Sequence, residues 1–380
     1  MSSSPRQTSA FPIPDLILVG LLAAQASLFL AERLGWFSFA YRKGWPVVVG
    51  IGILAVSFSL LAISLVASKR SRSSFRFGTR SLLLVTLLVA TPCGWLLTQQ
   101  RNAQRQQTAV QSILNSGGSV TYRTGPLREV ADPPGPKALK TQLGEQFFAD
   151  PVSVSTSPSD PFVSSAESEP GDFDDKTLMQ LTDHLPDVER LDFTDSGFDD
   201  AALSHVPELT KLEELVLRRT PITDAGLQHL AEVYSLQRLN LDGTAVTDVG
   251  LMYLKALSNL KRLDLSNTKI TGEGLVHLRN LHRLEFLVLD GTLLDDSGAQ
   301  ALQELTGLKS LEMSHTRITN DALEYAAALH KLGGLSFQGT GITDDRLRHL
   351  QGMNELLTLN LRPAVWKLPT PLEIGNELPG

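Results

Sequence analysis

From Val188 onward the chain repeats itself every 24 residues. The stretch 212–235, LEELVLRRTPITDAGLQHLAEVYS, is followed by 236–259, LQRLNLDGTAVTDVGLMYLKALSN, with apolar residues at the same places. Units opening at Val188, Leu212, Leu236, Leu260, Leu284, Leu308 and Leu332 follow one another without insertion or deletion, and a degenerate unit opens at Leu356. A unit this short cannot cover its own apolar side, so neighbours must stack to make a core. Each unit opens with LxxLxL, in which apolar and polar residues alternate as in Leu239, Asn240 and Leu241; that is the period of a half-buried strand. About six residues later Thr223-Asp224, Thr247-Asp248 and Thr343-Asp344 each precede apolar residues at helical spacing. Thr or Asp there caps free N–H groups of the first turn, and acidic charge suits the helix dipole. The predicted fold is an α/β solenoid, with parallel strands on the concave face and helices on the convex face.

The form LxxLxLxxT-x-I-T-D-x-G-L-x-x-L resembles the leucine-rich repeat family over roughly half the chain. The resemblance is to its ribonuclease-inhibitor-like or cysteine-containing class, with Thr where other classes place Asn or Cys. That column runs Thr220, Thr244, Thr268, Thr292, Thr316 and Thr340, with Ser196 ahead of it. Its hydroxyls are expected to form an internal hydrogen-bonded ladder at the bend leaving each strand.

Ahead of the repeats, three runs carry no charge: 16–31, 46–68 and 81–98. Their length and composition predict three transmembrane helices. A secretory signal peptide is the competing reading of the first run, where Ala24-Gln25-Ala26 supplies small residues, but the apolar stretch continues past it. Lys69, Arg70, Arg72, Arg76 and Arg80 occupy the second loop without an acid, which puts that loop in the cytoplasm and everything after Gln99 outside. The segment RFGTRSLLLVTLLVATPCGWL is similar to one found in planctomycete membrane proteins ahead of repeats of the TDxGLxxL kind. This likeness implies a bacterial source; the three runs and the loop charges together predict a multi-pass membrane protein with an extracytoplasmic repeat domain.

The remaining organisation is a disordered N-terminus (1–15), a polar stalk helix (99–118), a linker (119–145) and the repeat domain (146–380). Within that domain a Ser-, Pro- and acid-rich stretch at 156–171 is expected to be disordered, and 356–380 to cap the core. Formal net charge is −7, with both signs interspersed through the repeats, so no field attracts nucleic acid. A single cysteine, Cys93, excludes a disulfide framework and a cysteine-based metal site.

Residues with chemistry in them do not converge. His205, His229, His277 and His349 share one repeat position, but equivalent helix positions in neighbouring units stand about one helix diameter apart, near 10 Å, too far to share a zinc ion. No GxSxG, HExxH or GxxxxGK[ST] is present, and paired acids such as Asp295-Asp296 fall at helix starts, where capping accounts for them. No enzyme, cofactor or metal is therefore expected. Strand residues pointing away from the core are mostly of mixed charge. Phe286 and Val288 are apolar where the pattern asks for polar, with Arg238 and Arg262 beside them and Arg218 on the same face. An aromatic next to Arg is the usual make-up of a binding hot spot. The expected role is capture of a protein or peptide on the concave sheet, by a domain that three helices hold on a lipid bilayer. The alternatives are a passive spacer of the cell envelope and, from similarity to the substrate receptors of ubiquitin ligases, an adaptor.

Overall fold

A computed structural model describes residues 79–125, 128–130, 151–156 and 175–361. The chain forms two compact units, one of residues 1–108 and 121–150, the other of 109–120 and 151–380. In the first, β1 (Ser119–Gly125, whose first two residues belong to the second unit) pairs antiparallel with β2 (Arg128–Val130).

The second unit is the solenoid. Its strands are β3 (Pro151–Ser155), β4 (Arg190–Asp192), β5 (Glu214–Val216), β6 (Arg238–Asn240), β7 (Arg262–Asp264), β8 (Phe286–Val288), β9 (Ser310–Glu312), β10 (Gly334–Ser336) and β11 (Thr358–Asn360). Each pairs in parallel with the next, and from β4 on the register advances by one 24-residue unit per strand: Leu215 faces Leu239, which faces Leu263. The leucines that alternate in LxxLxL are buried in the inner units, as Leu263 and Leu265 are, whereas Leu359 of β11 is exposed at the end of the sheet. At the N-terminal end Phe193 stacks on Phe198 with ring centroids 4.0 Å apart. Parallel pairing with burial of every second residue is what the repeat spacing predicts.

The bend after each strand passes through one left-handed residue, always at the same unit position: Asp195, Arg219, Gly243, Asn267, Gly291, His315 and Gly339, with φ between 53° and 71°. Gly, Asn and Asp tolerate this conformation best, and they hold five of the seven positions. Just behind it sits the column of hydroxyls. Thr220, Thr244, Thr268, Thr292, Thr316 and Thr340 each donate to the carbonyl three residues earlier in their own unit, at 2.6–2.7 Å, and Ser196 does the same. The column therefore closes seven separate turns; it is not a ladder running between repeats.

The convex side carries α3 (Asp200–Leu203), α4 (Asp224–Leu230), α5 (Asp248–Leu254), α6 (Asp296–Ala299) and α7 (Ala322–Ala327), with short 3-10 turns at Glu273–Leu278 and Asp344–Gly352; the labels α1 and α2 go to Thr79–Asn115 and Asp175–His184. Thr223 and Thr247 cap their helices by accepting from Ala225 and Val249, and Asp295 caps α6 by accepting from Gly298. The acid after the Thr has a different task. Asp224 accepts the backbone N–H of Thr247 at 2.7 Å and its hydroxyl at 2.6 Å, so it ties one repeat to the next. Asp200 holds Thr223, Asp248 holds Thr271, Asp296 holds Thr319 and Asn320 holds Thr343 in the same way. Capping alone thus does not account for the acid pairs, as the sequence reading supposed. The Gly of the motif belongs to the same device: a Cβ at Gly226 or Gly250 would collide with the carboxylate of Asp200 or Asp224.

This seam is interrupted once among the described residues. The unit with Thr271 has Gly272 where the acid belongs, so no side chain there reaches Asp295 of the next unit. Gly272 (φ 110°) lies against Gly298 instead. Gly272 supplies no side-chain cap of its own, and the Gly274 N–H donates instead to Asp248 of the preceding repeat at 3.0 Å; with glycine at 272 and 274 the turn has little helix propensity and winds as a 3-10 turn.

Among the described residues no helix is long and apolar enough to cross a membrane. The third expected span, 81–98, is the first half of the 37-residue α1, whose remaining turns are polar, QQRNAQRQQ. The three-span expectation therefore gains no support there. The last turns of α1, where a stalk is expected, bury Ala109, Val110 and Ile113. The first two expected spans, the stretch 157–171 and the tail beyond 361 lie outside the described residues.

Candidate binding face

The concave face is built by the strand residues between the core positions, and neighbouring strands stand about 4.8 Å apart, so side chains 24 residues apart touch. In the first column Glu214 accepts from Arg190 at 2.6 Å and from Arg238 at 2.8 Å. Burial alone would raise the Glu214 carboxyl, but the hydrogen bond from Arg238 and the charges of both arginines outweigh it and hold its pKa below the ordinary value. Arg218 pairs with Asp242 at 2.7 Å. Two of the expected contact residues, Arg218 and Arg238, are thus already engaged within the chain.

Arg262 is placed differently. Its guanidinium lies 4.6 Å from the centroid of the Phe286 ring, a cation–π arrangement across the β7–β8 pair. Phe286 and Val288 are both half-buried on this face, two residues apart on one strand. Together with Glu214, Arg238, Asp264 and Glu312 they line a shallow groove with room for about 230 Å³. The structure therefore brings Arg262, Phe286 and Val288 together, sets Arg238 at the near edge, and leaves Arg218 beyond the groove lining.

Sequence reasoning missed the acids at the far edge. Burial pushes the Glu312 carboxyl up, and Asp290 and Asp264 add repulsion that Arg262 only partly offsets. Burial also raises Asp290, against hydrogen bonds from Ser314 and the charge of His315, with Asp264 adding to the rise. The signal was available: Asp264, Asp290 and Glu312 fall at outward positions of three consecutive strands, but each sits among ordinary surface charges when the units are read singly.

On the convex side His205, His229 and His277 are half-buried, one per unit. Among the described residues no group of three or more His, Cys, Asp and Glu is placed to hold a metal ion.

Leucine-rich repeat models match residues 208–231 and 234–294. Among proteins of curated function, none matches the sequence. Several solved structures resemble the fold. Internalin C2 of Listeria monocytogenes is 24% identical over 51% of this chain and 87% of its own, with a TM-score of 0.42. An internalin (inlF) of the same organism is 21% identical over 47% of this chain and 56% of its own, with a TM-score of 0.38. A TDR receptor is 18% identical over 48% and 32%, with a TM-score of 0.37. With parallel strands in one-unit register, buried leucines in the units from Val188 to Leu332 and these two model matches, the repeats of this chain are leucine-rich repeats.

Proposed function

We propose that the concave sheet binds a protein or peptide partner, with Phe286, Val288 and Arg262 as the centre of the contact and Arg238 and Arg218 at its margin. The observation that carries this reading is an aromatic and a β-branched residue, half-buried two residues apart on a mostly polar sheet, with a guanidinium stacked on the ring. Large apolar side chains in a groove with a polar rim are where association gains most from leaving water. The role is binding and not catalysis. Changing Phe286 to Asp is expected to abolish peptide binding by the full-length protein without moving its thermal midpoint by more than a few degrees, since the side chain lies outside the leucine core. Fluorescence anisotropy and a circular dichroism melt measure the two; unchanged binding refutes the assignment.

The reading is completed by an anchor: the uncharged runs 16–31, 46–68 and 81–98 and the five-cation loop between the last two support three helices in a bacterial membrane, with the repeats on the outer side. The Thr-Asp-x-Gly form supports the ribonuclease-inhibitor-like class, and the run ahead of the repeats a planctomycete-like source. Recovery of the full chain in the alkali-washed membrane pellet is expected; recovery in the supernatant removes the anchor.

A further inference from the structure

We propose that the groove around Val288 receives a lysine or arginine side chain, so that the segment captured by the concave face is a cationic peptide with apolar neighbours. This rests on the binding reading above and names the chemistry of its partner. Val288 has Asp264 opposite it on β7 and Glu312 opposite it on β9. Phe286 lies two residues before Val288 on β8, and Asp290 two residues after it, in the bend that follows the strand. With strands about 4.8 Å apart, the backbones of Asp264 and Glu312 stand about 10 Å apart on either side of Val288, a span into which one incoming side chain fits. Among the described residues no group of three or more His, Cys, Asp and Glu is placed to hold a metal ion, so a bare cation is not the occupant this cluster suits.

Charge balance distinguishes this spot from the rest of the face. Glu214 is matched by two arginines and Asp242 by one. Asp264, by contrast, accepts only from Ser266 and Asn240, and Asp290 from Ser314, all neutral donors; neither they nor Glu312 makes an ion pair among the described residues. Arg262 is the cation whose charge acts on Glu312, as that of His315 acts on Asp290, and the Arg262 guanidinium is laid on Phe286. Three carboxylates against one arginine leave a local excess of negative charge around an apolar floor. A long basic side chain suits both parts, because its methylene stem lies on Val288 and Phe286 while its head stays among the acids. The raised pKa values of Glu312 and Asp290 agree with this: both carboxylates are held in surroundings that disfavour their charge, and an incoming cation relieves that.

The test is selection of a displayed random nonapeptide library on the full-length protein, followed by anisotropy with one selected peptide. Enrichment of Lys or Arg beside an apolar residue is expected. Replacing that basic residue by Gln in the peptide is expected to weaken binding to the unaltered protein about tenfold. Glu312→Gln should do the same from the protein side, and Glu312→Lys should bind the peptide carrying Glu in place of its basic residue more tightly than the unaltered protein does. Enriched peptides without basic residues, or a Glu peptide that gains nothing on Glu312→Lys, overturn the cationic partner while leaving peptide binding in place. No enrichment beyond that on Phe286→Asp overturns the binding reading itself.

Discussion

Glu214 shows how one side chain decides the character of the face it sits on. It is the shared acceptor of Arg190 and Arg238, and it holds both in ion pairs while Arg262, one strand further on, lies on a ring. Its folded carboxyl titrates below the ordinary value of 4.5, so the stability it contributes is present above that pH and is lost as the pH falls through the folded value. Glu214→Gln is therefore expected to cost about 1–2 kcal/mol at pH 7, discounted for partial exposure, with a smaller penalty at pH 3. Urea titrations at the two pH values measure this; an equal penalty at both would mean that the ion pairs contribute nothing. The left-handed bend is a second lesson at this scale. A side chain at Gly339 is strained, both because its φ is 71° and because a Cβ would stand 2.5 Å from the His315 ring nitrogen Nδ1, which would have to shift.

Between elements, the motif Thr-Asp-x-Gly is one device spread over two repeats. Asp224 projects from the start of α4, seizes Thr247 at the cap of α5, and occupies the space that Gly250 leaves open. Removing either end of such a contact leaves polar groups less satisfied, at about 1–2 kcal/mol. Asp224→Ala and Gly250→Ala should each destabilise by about that much. Because the Cβ at 250 collides mainly with the carboxylate removed by the first change, the double variant should be less destabilised than the sum by about 1 kcal/mol. Strict additivity in a double-mutant cycle would show that the two residues act independently. An analysis by single units finds the helix caps; the bridge appears only when consecutive units are placed side by side.

At the scale of the whole solenoid, stability is a sum of units and of the junctions between neighbours. The junction between the units at Leu260 and Leu284 keeps its strand pairing and its leucines but lacks the acid–threonine bridge. On the concave side the same junction carries Arg262 on Phe286. A weaker junction opens more often, and its amides lose protection first. The Leu293 amide, which bonds to Ile270 across this junction at 2.9 Å, should exchange with solvent faster than the equivalent amides of Ala245 and Lys269, which bond across bridged junctions. Hydrogen exchange that is equal or slower at Leu293 would show that the bridge does not limit opening. A repair by Gly272→Asp is not expected to work, since any Cβ at 272 meets the backbone of Gly298.

Period, strand position and the direction of each leucine were legible in the chain itself, because a 24-residue repeat without gaps leaves only one way for every unit to bury its apolar residues. Phe286 and Val288 could also be picked out, as neighbouring apolar breaks in mostly polar columns. Tertiary structure alone decided which charges were free. Arg218 and Arg238 look like Arg262 in sequence, yet they meet Asp242 and Glu214 one strand away, and Asp264, Asp290 and Glu312 gather around Val288 from three separate units. The physical reason is the difference in range between the two effects: burial is written within a unit, by the alternation of its own residues, whereas ion pairing depends on what the neighbouring unit presents a strand's width away.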